Sequence, residues 1–179
     1  MEEKRIILLS CSQFDREFLR QVATAVGNEY RTGVMTEECH LDLNPFYNPT
    51  RRQYDGDRLL RHIPLCTASH YTKLVGLFRV DIYIPILTYI FGQAILGKSD
   101  AIASVFRLRN ELYGMKQDEK LLLSRTVKEV IHELGHTFGL IHCQNHACVM
   151  RSSTYVEEID LKSSSLCTGC REQIAHGKK

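Results

Sequence analysis

The chain has 179 residues, 44% hydrophobic and 25% charged, with eleven glycines and four prolines. Such a composition excludes a disordered, collagen-like or low-complexity protein and suits one domain with a small appendage. Twenty-three Lys and Arg against twenty-one Asp and Glu leave a net charge of +2, too small an excess for a binder driven by phosphate contacts.

Residues 6–9, Ile-Ile-Leu-Leu, have the pattern of a strand buried on both faces. The run is too short for the apolar core of a secretory leader, and Glu2 and Glu3 precede it. Ser12 is the expected N-cap of a helix through Phe14, Phe18, Val22 and Val26 that ends near Gly27. A second strand is expected at 31–35, completing a βαβ opening and pointing to an α/β sheet. Residues 44–56 hold two Asn-Pro pairs and three aromatic rings and are expected to form a loop. A helix is expected over 57–71, with Pro64 inside it. Residues 75–84 and 89–93 are expected to be strands separated by a turn at Pro85, and 101–108 a further strand. The longest apolar stretch, 80–90, is broken by Asp81, Pro85 and Thr88 and cannot span a bilayer.

Residues 119–138 form the best helical pattern. Leu123, Val127, Val130, Ile131, Leu134 and Phe138 share one face, with Arg125, Glu129, His132 and His136 opposite, the histidines facing a cleft. After Gly139 the character changes to short polar segments. The expected division is an N-terminal α/β subdomain, 1–139, carrying the long helix, and a C-terminal subdomain, 140–179. With neither leader nor span the chain is expected in the cytoplasm, where cysteines bind metal more often than they pair.

His132 and His136, at i and i+4 on one face of that helix, can reach one zinc ion. Glu133 lies about 100° around the helix from His132, beside the metal but outside its ligands, the place for a general base. Gly139 can take the positive φ that ends a helix, letting the turn return His142 as a third ligand. Three imidazoles leave a fourth position open, as a catalytic site requires. Such a site can activate a bound water as the nucleophile, needing no serine or cysteine.

Seven cysteines are present, an odd number. Cys143, Cys148, Cys167 and Cys170 form two pairs with the spacing of a closed, tetrahedral structural zinc site. His146 lies inside the first loop as an alternative ligand. Cys11, Cys39 and Cys66 are scattered and are expected to be plain thiols.

The run from His132 to His142 matches the metzincin zinc-binding consensus. Together with Cys143, Cys148-Val149-Met150 and Cys167-Thr168-Gly169-Cys170, it resembles the archaemetzincins in particular. The resemblance extends upstream through residues 89–94, 104–108 and 128–129. It implies a compact, minimal metzincin: an α/β fold with a twisted, mixed, mostly parallel sheet, an active-site helix and a small zinc-stapled C-terminal subdomain. It further implies catalytic zinc on His132, His136 and His142, a general base at Glu133, and a methionine turn at Met150. A second zinc would lie on Cys143, Cys148, Cys167 and Cys170. The strand at 89–93, with Phe91 and Gly92, would be the sheet edge that pairs with an extended peptide. Where some metzincins place a tyrosine two residues after the turn methionine, this chain has Ser152; Tyr155 is near enough to reach the site.

The expected activity is that of a zinc metallopeptidase with two zinc ions and a peptide or protein substrate. The rival from another class is a zinc-stabilised peptide- or protein-binding module without hydrolysis, which would have no use for Glu133 beside an open position. A nucleic-acid module rests only on the cysteine spacing and on Arg171, Lys178 and Lys179, a solvated basic tail.

Overall fold

The computed structural model describes residues 5–177. Glu2, Glu3 and the last two lysines of the basic tail lie outside the described residues. β1 (Ile6–Ser10) and β2 (Val34–Glu38) pair in parallel around α1 (Arg16–Tyr30), the expected βαβ unit. Its helix starts later than expected. Asp15 is the N-cap, its carboxylate accepting the amides of Glu17 and Phe18 at 2.9 and 3.1 Å. The Ser12 hydroxyl accepts the Arg79 amide instead, at 3.1 Å. The helix continues past Gly27 to Tyr30 and ends on Arg31 in the left-handed region (φ 51°), so β2 begins at Val34.

Residues 44–56 are more ordered than a loop. After a 3₁₀ turn (Asn44–Phe46), β3 (Tyr47–Asn48) and β4 (Gln53–Asp55) pair antiparallel. The helix expected to reach 71 stops at His62 as α2 (Gly56–His62), and Pro64 falls in a 3₁₀ segment (Ile63–Cys66). The strand expected over 75–84 is two strands, β5 (Lys73–Phe78) and β6 (Ile82–Tyr83). The second leaves the main sheet to pair with β4. β7 (Gly92–Ala94) begins later than expected, and β8 (Asp100–Ser104) gives way to a 3₁₀ turn (Phe106–Leu108). The long helix is α3 (Glu119–Thr137), followed by two short helices the sequence pattern did not suggest, α4 (Val156–Leu161) and α5 (Thr168–His176).

The main sheet has the order β2-β1-β5-β8-β7, all parallel except the edge strand β7. Alternation along the strands divides the core. Ile6, Leu8, Val75, Leu77, Ala101 and Ala103 face α1 and α3, while Ile7, Leu9, Leu74, Phe78 and Ile102 face α2 and its 3₁₀ extension. Buried on both faces, these strands read as continuous apolar runs. The first cluster runs on past Gly139 through Leu140, Val149, Met150, Val156 and Ile159. Among the described residues no helix is long and apolar enough to cross a membrane.

The polar stripe of α3 is buried as well as the apolar one. Arg125 is only 2% exposed, its guanidinium forked onto Asp160 at 2.8 and 2.6 Å and donating to the Leu108 carbonyl at 2.7 Å. The Lys128 ammonium donates to the Ile159 carbonyl at 3.0 Å. Thus α4 covers the first half of the stripe, and the second half is left facing a cleft.

Candidate active site

The end of α3 explains how its histidines meet a third. Leu140 donates its amide to the Gly135 carbonyl and Gly139 to that of His136, at 3.0 and 2.9 Å. This pairing needs a left-handed residue after the helix, and Gly139 takes it at φ 90°. The chain turns back, and the donor atoms of His132, His136 and His142 lie within 4.8 Å of one another.

Second partners fix the tautomers. His132 Nδ1 lies 2.9 Å from the Val149 carbonyl oxygen and His136 Nδ1 lies 2.7 Å from that of Leu140. A carbonyl only accepts, so each Nδ1 carries the proton and each Nε2 keeps a free lone pair. Those Nε2 atoms are 3.1 Å apart. Two nitrogens on a tetrahedral zinc would be about 3.3 Å apart, so the donor set fits that ion. Burial lowers the pKa of all three imidazoles, most strongly at His132, which favours the neutral, metal-binding form.

Met150 lies wholly buried under this helix. Its thioether occupies the space that a Cβ at residue 135 would take, so Gly135 is what lets it approach. The Cys143 amide donates to the Met150 carbonyl at 3.0 Å and closes the loop that carries the methionine.

Glu133 is 4% exposed and lies against the edge strand: a Cβ at Gly92 would be 2.8 Å from its Oε1. It has two companions that the motif does not include. Glu129, one turn earlier, is hydrogen-bonded to it, and the ammonium of Lys162 lies close to both. Burial pushes the Glu133 carboxyl well above the usual carboxylate range, and the neighbouring Glu129 pushes it further. Burial also raises Glu129, while the Lys162 charge opposes both shifts. The i, i+4 spacing to Glu133 was a signal for Glu129; Lys162 had none, because α4 and the fold bring it in. Its Nζ donates to the Arg151 carbonyl at 2.9 Å.

These groups form the floor of a cavity of about 710 Å³, walled by Leu87, Phe91, Gly92, Leu96, Ile141, Ser153 and Tyr155. Phe91 is buried, and Tyr155 is 62% exposed at the rim. The Tyr89 hydroxyl crosses to the Thr154 carbonyl at 2.8 Å and ties the two walls together.

The four C-terminal cysteines converge separately. Cys143 and Cys167 sulfurs are 3.8 Å apart, as are those of Cys148 and Cys170, and all four lie within 4.8 Å. Sulfurs bound to one tetrahedral zinc at about 2.3 Å would be about 3.8 Å apart, whereas a disulfide needs about 2 Å. Amides of Asn145 and Cys167 donate to the sulfurs of Cys143 and Cys148 at 3.4 and 3.3 Å, stabilising thiolate. At the start of α5, chiefly a backbone amide at Cys170 brings the Cys167 thiol down to about 7.

The sequence profile of peptidase family M54 matches residues 46–176. The chain belongs to that family. The archaemetzincin of Thermococcus kodakarensis is 40% identical over 180 residues, 95% of each chain. The crystal structure of the archaemetzincin of Methanopyrus kandleri superposes with a TM-score of 0.85 at 31% identity, covering 98% of this chain and 95% of that one. A zinc-dependent peptidase from Methanocorpusculum labreanum superposes at 0.82 with 29% identity, covering 94% and 99%. The M54 chain is therefore a zinc metallopeptidase with the mixed α/β archaemetzincin fold, acting on peptide or protein.

Proposed function

We propose that this M54 peptidase binds catalytic zinc through His132, His136 and His142 and uses Glu133 as the general base of peptide-bond hydrolysis. Cys143, Cys148, Cys167 and Cys170 hold a second, structural zinc that staples residues 140–179. The observation that carries the reading is the meeting of three imidazole donors, the buried Glu133 carboxylate and a strand edge in one cleft.

When bound, zinc supplies Lewis acidity towards water and the scissile carbonyl. The protein's own groups do the rest. No other strand among the described residues pairs with β7 beyond β8, so its outer edge can take an extended peptide antiparallel or parallel to it. Phe91, Gly92 and Tyr155 contact that peptide. Gly92, lacking a side chain, lets the peptide plane lie against Glu133. The Glu133 carboxylate takes the proton of the attacking water and returns it to the leaving amine. Glu129 and Lys162 lie beside that carboxyl and share its proton load. Four cysteines that converge to hold metal rather than to pair suit a reducing compartment, and we place the reaction in the cytoplasm.

Glu133→Gln keeps the volume and removes the base. Zinc content should match wild type while cleavage of a peptide library falls by about 10² to 10⁴. Unchanged cleavage at full zinc loading would remove Glu133 from the mechanism. No cleavage by either protein at full loading would favour the binding module.

A further inference from the structure

Three cysteines belong to neither donor set. At positions 11, 39 and 66 they look unrelated in sequence, but the fold gathers them at the C-terminal ends of β1 and β2. The register that pairs Ser10 with Glu38 continues one residue further: Cys39 donates its amide to the Ser10 carbonyl at 2.8 Å, and Cys11 to that of Leu77 at 2.9 Å. Cys11 and Cys39 therefore leave neighbouring strands side by side, within the core cluster on the face away from α3. Cys66 ends the 3₁₀ segment that follows α2. The next residue, Thr67, anchors it to β2 by donating its hydroxyl to Glu37 at 2.6 Å.

Cys11 and Cys39 are buried in that cluster and Cys66 packs against it, Cys39 having both of the others as electrostatic neighbours. Cys39 is thus the middle of a row. Among the described residues only the two donor sets above bring three or more such groups within 4.8 Å of one another, so this row does not converge as a metal site does. Thiols set side by side by strand register are placed for sulfur–sulfur exchange.

The environment divides the roles. Cys11 is 4% exposed, with room for its sulfur because residue 76 is glycine: a Cβ there would lie 3.4 Å away. The neighbouring thiols of Cys11 and Cys66, with the charges of His40 and His62, bring the Cys39 thiol down to about 6. Burial pushes Cys66 up to about 12, and the neighbouring Cys39 together with burial raises Cys11. Cys39 is thus the most readily ionised of the three sulfurs.

We propose that Cys11, Cys39 and Cys66 form a thiol modification site in which hydrogen peroxide oxidises Cys39 and a neighbouring cysteine resolves it to an intrachain disulfide. The Cys39 sulfur attacks one peroxide oxygen and breaks the O–O bond. Sulfur loses two electrons to become a sulfenic acid, and the departing hydroxide takes a proton to give water. The sulfur of Cys11 or Cys66 then attacks that of Cys39, forms the S–S bond, gives up its proton and expels the second water. One peroxide and two thiols yield one disulfide and two waters.

The test is limited hydrogen peroxide on the zinc-loaded protein at pH 7, followed by alkylation, proteolysis and mass mapping. The expected product is a disulfide joining Cys39 to Cys11 or Cys66, while Cys143, Cys148, Cys167 and Cys170 stay reduced. Cys39 should be consumed at least about tenfold faster than either neighbour is in the Cys39→Ser variant, where both remain thiols. Three results overturn the proposal: Cys39 left as a thiol, Cys39 carried to sulfinic acid without a cross-link, or Cys11 pairing with Cys66 in Cys39→Ser. The wild-type map stands alone if that variant misfolds.

Discussion

Gly92 offers the sharpest test of how the edge strand meets the carboxylate. In Gly92→Ala the new Cβ would lie 2.6 Å from Glu133 Cγ, 2.8 Å from its Oε1 and 2.7 Å from the Ile102 carbonyl oxygen. Non-bonded carbons rest at about 3.5–4.0 Å, so the gap must open by about an ångström. Ile102 is fully buried in the middle of β8 and cannot give way, so β7 and Glu133 must move. Displacing a reacting group by about 1 Å costs on the order of a hundredfold in rate, and overpacking by one methyl costs about 1–3 kcal/mol in stability. Gly92→Ala should therefore lose about ten- to a hundredfold in kcat/KM and melt several degrees lower. None of its nearest contacts is a histidine, so zinc content should stay at the wild-type level. The assay is cleavage of a quenched fluorescent peptide beside metal analysis and a thermal melt. Wild-type activity with an unshifted melt would refute the contact between edge strand and base.

Gly135→Ala tests the methionine beneath the helix. It gains about 1 kcal/mol of helix propensity, yet its Cβ meets the Met150 sulfur and lies 2.9 Å from its methyl carbon. Displacing Met150 drags on Val149, whose carbonyl orients His132. Zinc affinity measured against a chromogenic chelator should fall by about 10- to 100-fold, and an unchanged affinity would reject the link. The Glu158 carboxylate accepts the amides of Thr154 and Tyr155 at 2.6 and 3.0 Å, which hold its pKa below the ordinary 4.5. A lowered folded pKa adds stability that is present above about 4.5 and lost as pH falls through the folded value. The stability difference between wild type and Glu158→Gln should therefore shrink on acidification; a gap constant from pH 7 to pH 3 in denaturant titrations would contradict it.

The three-histidine donor set was legible because it is local: His132 and His136 share one helix, and Gly139 returns His142 within a few residues. The four-cysteine set was legible from spacing alone. Other features depend on contacts distant in sequence. Arg125 and Lys128 look like a solvated stripe, but Asp160 and the Ile159 carbonyl, more than thirty residues on, receive them. Ser12 and Asp15 are equally good caps by residue type, and only the position of Arg79 decides which caps the helix. The strand expected over 75–84 divides because β6 finds a partner in β4, which no periodicity in its own segment encodes. Cys11, Cys39 and Cys66 looked like bystanders because strand register, which brought them together, is invisible in linear spacing.

His142 and Cys143 are adjacent residues that face different donor sets, and Val149, whose carbonyl orients His132, follows Cys148 directly. If both sets hold zinc, as proposed above, they are thus unequal partners when the metal is scarce. Emptying the imidazole set leaves the cysteine loop closed by Cys143 on Met150, ready to accept the ion again. Emptying the thiolate set frees both ends of that loop and takes the third histidine and the Val149 carbonyl with it. A cell short of zinc would therefore hold two kinds of idle enzyme: one a reserve restored by a single ion, the other requiring refolding of its C-terminal segment first.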